Sequence, residues 1–364
     1  MRILLLIFLL SYCFVPSSSS QTYNAIFSFG DSISDTGNLC IAEKPSSLTV
    51  AQRPYGETFF GRPTCRCSDG RLVVDFLAEA FGLPLLPPSK SRGKNFQRGA
   101  NMAIIGATSL DFAFFQSIGL GNKIRNSWVN GPLDTQIQWF EQLRSSICST
   151  AKNCRSYLRN SLFVVGEFGG NDYNANVFSG RSPDVVRRYV PNVINAISNG
   201  VEKLINLGAV DLVVPGVLPI GCFPLYLTLF PSSNKGDYDQ NGCLRRFNNL
   251  STYHNSLLRQ ALARLQNKYP STRIMYGDFY NQIMEMVQNP QKFGFRYPLR
   301  TCCGAGQGTY NYNKRERCGM SGASACPNPS SYLSWDGIHL TEAAYRYIAN
   351  GWLRGPYCNP PILR

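Results

Sequence analysis

The sequence predicts an α/β fold built on a parallel sheet, and three observations predict it. Short apolar segments that read as strands, beginning with Ala25 to Phe29, alternate with longer segments of helical periodicity. Val210 to Val214 has the apolar character of a strand buried on both faces. Residues suited to chemistry stand just beyond the ends of several strands, where an open α/β sheet forms its ligand crevice.

The chain's start has the layout of a secretory signal peptide. Arg2 precedes an apolar run from Ile3 to Leu10, and small residues Ser17 to Ser20 follow. That run is too short and wrongly flanked for a membrane span. No second stretch is long and apolar enough for one. Cleavage near Ser20 (residues 1–20) removes Cys13 and leaves an even number from the 13 cysteines, as expected of a disulfide-bonded secreted protein. The remaining 21–364 read as one domain, since roughly 340 residues without a low-complexity linker fit one large domain better than two. The net charge of +14 does not imply nucleic acid, because the basic residues are scattered and no nucleic-acid motif is present. A solvated basic surface, with weak retention on anionic cell-wall polymers as the alternative, fits better.

Cys40, Cys65 and Cys67 flank an irregular Pro-, Gly- and Arg-rich stretch, and oxidising conditions favour cross-links there over a metal site. Asp69 is the expected N-cap of an amphipathic helix through Phe81, stopped by Gly82 and Pro84. Asn101 to Ala107 reads as a second strand ending in a glycine, Leu133 to Ile147 as a helix, and Cys148 with Cys154 as a local bridge. Ser161 to Gly166 reads as the third strand, Asp184 to Leu207 as one long helix, Leu244 to Tyr269 as another, and Ile274 to Gly277 as the fifth strand. The loop Gly216 to Pro231 is apolar enough either to pack or to line a pocket for an acyl group. Asn249-Leu250-Ser251 is a glycosylation sequon inside predicted helix. Cys302, Cys303, Cys318 and Cys326 read as disulfides of unassigned pairing, and Glu342 to Leu353 as the last helix.

Four places carry chemical signals. Ser32 sits in the polar turn Gly30-Asp31-Ser32-Ile33-Ser34 that follows the first strand. Gly106 lets a backbone N–H approach a ligand closely. In Glu167-Phe168-Gly169-Gly170-Asn171-Asp172, Asn171 either aims its side-chain N–H into the same crevice or makes an Asx turn. Only two histidines exist. His254, in mid-helix without neighbouring carboxylates, reads as a surface or interface side chain. His339 stands three residues after Asp336, a spacing that folds the carboxylate back onto the imidazole and fixes its tautomer.

Phe-Gly-Asp-Ser at 29 to 32, Gly106 in Ile-Gly-Ala-Thr, Gly169-Gly170-Asn171-Asp172 and Asp336-Gly337-Ile338-His339 resemble the four sequence blocks of the plant GDSL esterase/lipases, members of the SGNH hydrolase superfamily. The resemblance runs from about Tyr23 to Cys358; Ile33 replaces the leucine of the family name. It implies a three-layer α/β/α sandwich around a parallel sheet of about five strands in flavodoxin-like order. Carried over position by position, it makes Ser32 the nucleophile, His339 the general base and acid, and Asp336 its orienting partner. The oxyanion hole it implies combines the N–H groups of Ser32 and Gly106 with the amide of Asn171. The α/β-hydrolase signature Gly-x-Ser-x-Gly is absent, because Ser34 stands at the last glycine position.

The expected protein is a secreted carboxylic ester hydrolase acting through an acyl-enzyme on a small-molecule or lipid ester. Neither metal nor organic cofactor, and neither nucleic-acid partner nor integral membrane segment, is expected. The resemblance is closest to the plant group containing esterases for choline esters of phenolic acids and for acetylated alkaloids, while the family also includes lipases and polysaccharide deacetylases. An acyltransferase with the same acyl-enzyme, and a secreted binding protein without turnover, are the rival readings.

Overall fold

The computed structural model of the chain describes residues 22–124 and 130–363. The predicted signal peptide, residues 1–20 with Cys13, lies outside the described residues.

A main sheet of six strands forms the centre. Five are parallel: β1 (Ile26–Phe29), β2 (Gly99–Asn101), β3 (Leu162–Val165), β4 (Asp211–Pro215) and β5 (Arg273–Gly277). A small parallel pair, β6 (Tyr297–Thr301) and β7 (Tyr332–Ser334), stands apart, and β8 (Cys358–Asn359) closes the main sheet antiparallel to β5. The order β2-β1-β3-β4-β5-β8 contains the flavodoxin-like 2-1-3-4-5 sequence, in which neighbours switch direction around β1. Every residue of β1, β3 and β4 is buried, as their apolar character requires of strands covered on both faces. Ser28 and Asp211 are the polar exceptions, and Asp211 accepts the Tyr23 hydroxyl and pairs with Arg273.

Helices cover both faces. Leu133–Ile147, Val190–Leu207 and Arg245–Lys268 pack in sequence on one side, while Glu342–Arg354 packs with Val73–Ala80 and Phe279–Gln288 on the other. The two groups bury their apolar stripes on one continuous core with the strands. The three-layer expectation therefore holds.

Several local expectations are corrected. The second strand ends at Asn101, earlier than its apolar run suggests, because the Asn101 side chain accepts the Ala103 N–H and turns the chain away. Asp69 does not cap the helix that follows it. The helix starts at Val73 with Asp75 accepting the Leu72 N–H, whereas Asp69 accepts the Glu342 N–H at the start of the last helix. The long helix from Asp184 is two, Pro183–Arg187 and Val190–Leu207, because Pro191 has no N–H to continue the first.

Cross-links join Cys40–Cys65, Cys148–Cys154, Cys222–Cys243, Cys302–Cys326 and Cys303–Cys318. Cys67 and Cys358 are buried thiols instead, so the even count does not pair throughout. No helix among the described residues is long and apolar enough to cross a membrane.

Candidate active site

Ser32 lies in the turn after β1, at the switch point of the sheet. Gln136 fixes the start of that turn, accepting the Gly30 N–H at 2.9 Å and donating to the Gly30 carbonyl at 2.8 Å. Asp31 then accepts the Ile33 N–H at 2.9 Å and the Asn171 amide at 2.8 Å. Burial pushes the Asp31 carboxyl up to about 7 against the opposing Ile33 hydrogen bond.

Asp35 couples this turn to the loop after β2. Its carboxylate accepts the N–H groups of Gly37, Asn38 and Leu39 and, at 3.0 Å, that of Ile105. Burial still lifts this carboxyl to about 6. Gly106, beside that anchored residue, adopts φ +83°, a conformation that disfavours a side chain. The Asp172 carboxylate ties the continuation of the same loop to β3's side of the site, accepting from the Ser109 N–H and hydroxyl and from the Leu110 N–H.

Asn171 opens the helix Gly170–Val177 after β3. Its Nδ2 donates to Asp31 and, at 3.0 Å, to the Ala107 carbonyl. His254 supports this loop from below and is no surface residue: it is fully buried and hydrogen-bonded to the Tyr173 hydroxyl at 2.6 Å. A Cβ on Gly169 would lie 2.8 Å from its Cε1, so the loop approaches the ring closely only as glycine. Burial lowers this imidazole to about 3 and keeps it neutral. The missing carboxylate neighbours suggested exposure, but the helix face carrying His254 also buries Leu250, Leu258 and Ala261.

The remaining pair arrives from outside the main sheet, in the turn after β7. Asp336 Oδ1 accepts the N–H groups of Ile338 and His339 at 3.1 and 2.9 Å, folding the turn back on itself. Its Oδ2 meets His339 Nδ1 at 2.7 Å, and His339 Nε2 meets Ser32 Oγ at 2.8 Å. Burial alone would raise the Asp336 carboxyl, yet His339 and the hydrogen bonds around it hold it down to about 2. Burial alone would lower His339, but the Asp336 anion outweighs it and the imidazole ends well above its ordinary value. The Cys67 sulfur lies against the same ring; burial raises that thiol, so it stays protonated.

Tyr55 completes the group and had no sequence signal. Its hydroxyl donates to Asp336 Oδ2 at 2.8 Å across 281 residues, and its ring packs edge-on against Trp335. Gln136 likewise carried no local signal, since its partner is 106 residues away. Of the residues with a chemical signal in the sequence, Ser32, Asp336 and His339 form one hydrogen-bonded chain, and Gly106 and Asn171 line the cavity beside it. Asn249 lies elsewhere, exposed on the helix Arg245–Lys268, while Ser251 of its sequon is buried.

Two cavities converge on His339, of about 740 Å³ and about 420 Å³. The apolar stretch expected as a loop is helical over Pro224–Leu229 and divides between the two uses expected of it: Val217, Leu218 and Leu227 are buried in the core, Leu229 and Phe230 face the larger cavity, and Leu225 does both. Among the described residues, no group of three or more His, Cys, Asp or Glu side chains is placed to hold a metal ion.

A parallel sheet with a serine, an imidazole and a carboxylate in line at its carboxyl edge defines a class of hydrolase rather than one substrate. Residues 26–352 match the family described as GDSL-like lipase/acylhydrolase. Two GDSL esterase/lipases of Arabidopsis thaliana are 45% identical over 360 residues (97% of this chain, 96% of the relative) and 44% identical over 368 residues (99% and 92%). A sinapine esterase of Brassica napus is 44% identical over 347 residues, covering 94% of this chain and 88% of its own. The chain belongs to the GDSL-like lipase/acylhydrolase family and is a carboxylic ester hydrolase.

Proposed function

We propose that this protein is a secreted serine esterase that cleaves small-molecule or lipid esters through an acyl-enzyme on Ser32. The observation that carries the reading is the unbroken contact from Ser32 Oγ through His339 to Asp336. Serine is a poor nucleophile until a base takes its proton. Ser32 Oγ attacks the ester carbonyl carbon as its proton passes to Nε2, and the Asp336 anion stabilises the imidazolium. The carbonyl–alkoxy bond then breaks, and Nε2–H returns the proton to the leaving alcohol. Water repeats the route, freeing the acid and restoring Ser32.

Negative charge on the carbonyl oxygen is stabilised by the N–H groups of Ser32 and Gly106 and by Asn171. The Asn171 amide already donates to Asp31 and Ala107, so the substrate oxygen must share or displace one of these contacts. The raised His339 value means the neutral base prevails only toward alkaline pH, so turnover rises with pH through its titration.

The same acyl-enzyme supports acyl transfer when an alcohol outcompetes water, and the cavity beside His339 has room for an acceptor. Product analysis with an added alcohol separates the two outcomes. Secretion after cleavage near Ser20, a glycan on exposed Asn249 and weak retention on anionic cell-wall polymers belong to the same reading; intact-mass measurement of the secreted protein before and after glycosidase tests the first two. A fluorophosphonate probe tests the central claim. It is expected to label Ser32 alone, with no labelling in Ser32→Ala; a label on another residue would remove the assignment.

A further inference from the structure

The two cavities meet opposite edges of the catalytic group. The larger has Asn171 at its floor and Val177, Phe178, Leu229 and Phe230 along its wall. The smaller reaches the imidazole where Tyr55, Cys67 and Asp336 lie, and it opens between Ser47, Thr49 and Asn130. Ile105, Leu225, Tyr312 and Ile338 border both. This partition is built by segments outside the main sheet. The Cys40–Cys65 bridge brackets the residues around Ser47, and the Cys303–Cys318 bridge brackets Tyr312.

Proton transfer decides which cavity receives which half of the ester. The imidazole must protonate the leaving oxygen from Nε2, so the alcohol lies against His339. Both cavities touch that ring, and the smaller alone is also lined by Tyr55, Cys67 and Asp336, so the alcohol runs into it. The carbonyl oxygen points at the oxyanion donors, and the acyl substituent extends past Asn171, away from the imidazole. Resting on the Ser32 reading above, we infer that the larger cavity takes an apolar acyl group, the smaller takes a polar hydroxyl-bearing alcohol, and the preferred substrate joins the two.

The linings agree with that division. In the larger cavity Phe178 and Phe230 stand 6.1 Å apart at 15°, near-parallel rings that offer apolar area to an alkyl chain or an aromatic acid. The smaller cavity presents hydroxyl and amide side chains and Glu43; Arg317 lies on the wall of both cavities, and the larger also carries Lys314. Glu43 and Ser47 are exposed and stay hydrated beside a purely alkyl alcohol, so the preference comes from the direct hydrogen bonds that a hydroxyl-bearing alcohol adds.

Two tryptophan substitutions test the assignment by filling one cavity at a time. Leu229 borders only the larger cavity and Leu48 only the smaller, and neither is fully buried. Purified variants are assayed on glyceryl octanoate, glyceryl acetate and butyl octanoate, and each readout is a ratio of kcat/KM values on one preparation, so partial misfolding cancels. Leu229→Trp is expected to lower the octanoate-to-acetate ratio by about tenfold or more while moving the glyceryl-to-butyl ratio little. Leu48→Trp is expected to do the reverse. Exchanged effects, or both ratios moving together in both variants, overturn the assignment. Ser32→Ala in the same assays separates the two claims: retained hydrolysis there tells against the nucleophile, whereas the tryptophan ratios judge the cavities.

Discussion

The two halves of the candidate active site are held by different means. The half carrying Ser32, Gly106 and Asn171 grows from the ends of three adjacent parallel strands and is fastened by buried side chains: Gln136 on Gly30, Asp35 across to Ile105, and Asp172 across to Ser109. The half carrying Asp336 and His339 follows a strand of the separate small sheet. Neighbouring disulfides and Tyr55 brace it. The proposed nucleophile and oxyanion donors are therefore positioned by the sheet, whereas the proposed base is positioned by cross-linked loops and tuned by the charge behind it. Substitutions in the first half should act on the rate of the chemical step. Those in the second should also move the pH at which that step occurs.

The largest effect tests whether the halves work as one unit. Ser32→Ala and His339→Ala, one from each, should each lower ester hydrolysis by roughly 10⁴ to 10⁶-fold, with the double variant no worse than the singles. A double variant whose losses multiplied would show that the halves act independently. Next in size is Asp336→Asn, expected to lose about 10⁴-fold because the imidazole is left in the wrong tautomer. Removing the anion also removes what raises His339, so the acid limb of residual kcat/KM should move to lower pH. An unmoved limb would detach Asp336 from that titration. Asn171→Ala, in the sheet-held half, should cost about 3 kcal/mol of transition-state stabilisation with the acid limb unchanged. A loss confined to KM would contradict an oxyanion role.

How legible each half was follows from the range of its contacts. The turn Gly30 to Ser34, the strand Leu162–Val165 and the helix Leu133–Ile147 are specified by local periodicity and turn residues, and the sequence places them within a residue or so. The Asp336–His339 pair was legible because three residues bring a carboxylate back to a ring. What supports these groups was not legible. Tyr55, Gln136 and His254 act on partners 281, 106 and 81 residues away, and no spacing rule encodes such distances. Asp69 shows the same limit, since a carboxylate before an apolar run is an N-cap signal whichever helix it finally caps. The two-residue strand Cys358–Asn359 is too short to carry a periodicity, and a thiol held apart in the core, as Cys67 is, escapes an argument from even numbers.

The smallest expected effect sharpens the comparison most, because its sign opposes that of Asp336→Asn. Tyr55 donates to the same Asp336 oxygen that holds His339 Nδ1, and so draws part of the carboxylate's charge away from the ring. Tyr55→Phe removes one hydrogen bond to a charged group, worth roughly 1.5–3 kcal/mol at most, and leaves that oxygen still bonded to His339. The carboxylate becomes more basic and supports the imidazolium more strongly, so the base is protonated up to higher pH. The expected outcome is about a tenfold loss or less in kcat/KM near neutral pH. It comes with an acid limb displaced upward, opposite to the displacement in Asp336→Asn, so much of the rate returns in alkaline buffer. A tyrosine that merely filled space would lower the rate equally at every pH, and a limb that stayed in place would assign Tyr55 that lesser role.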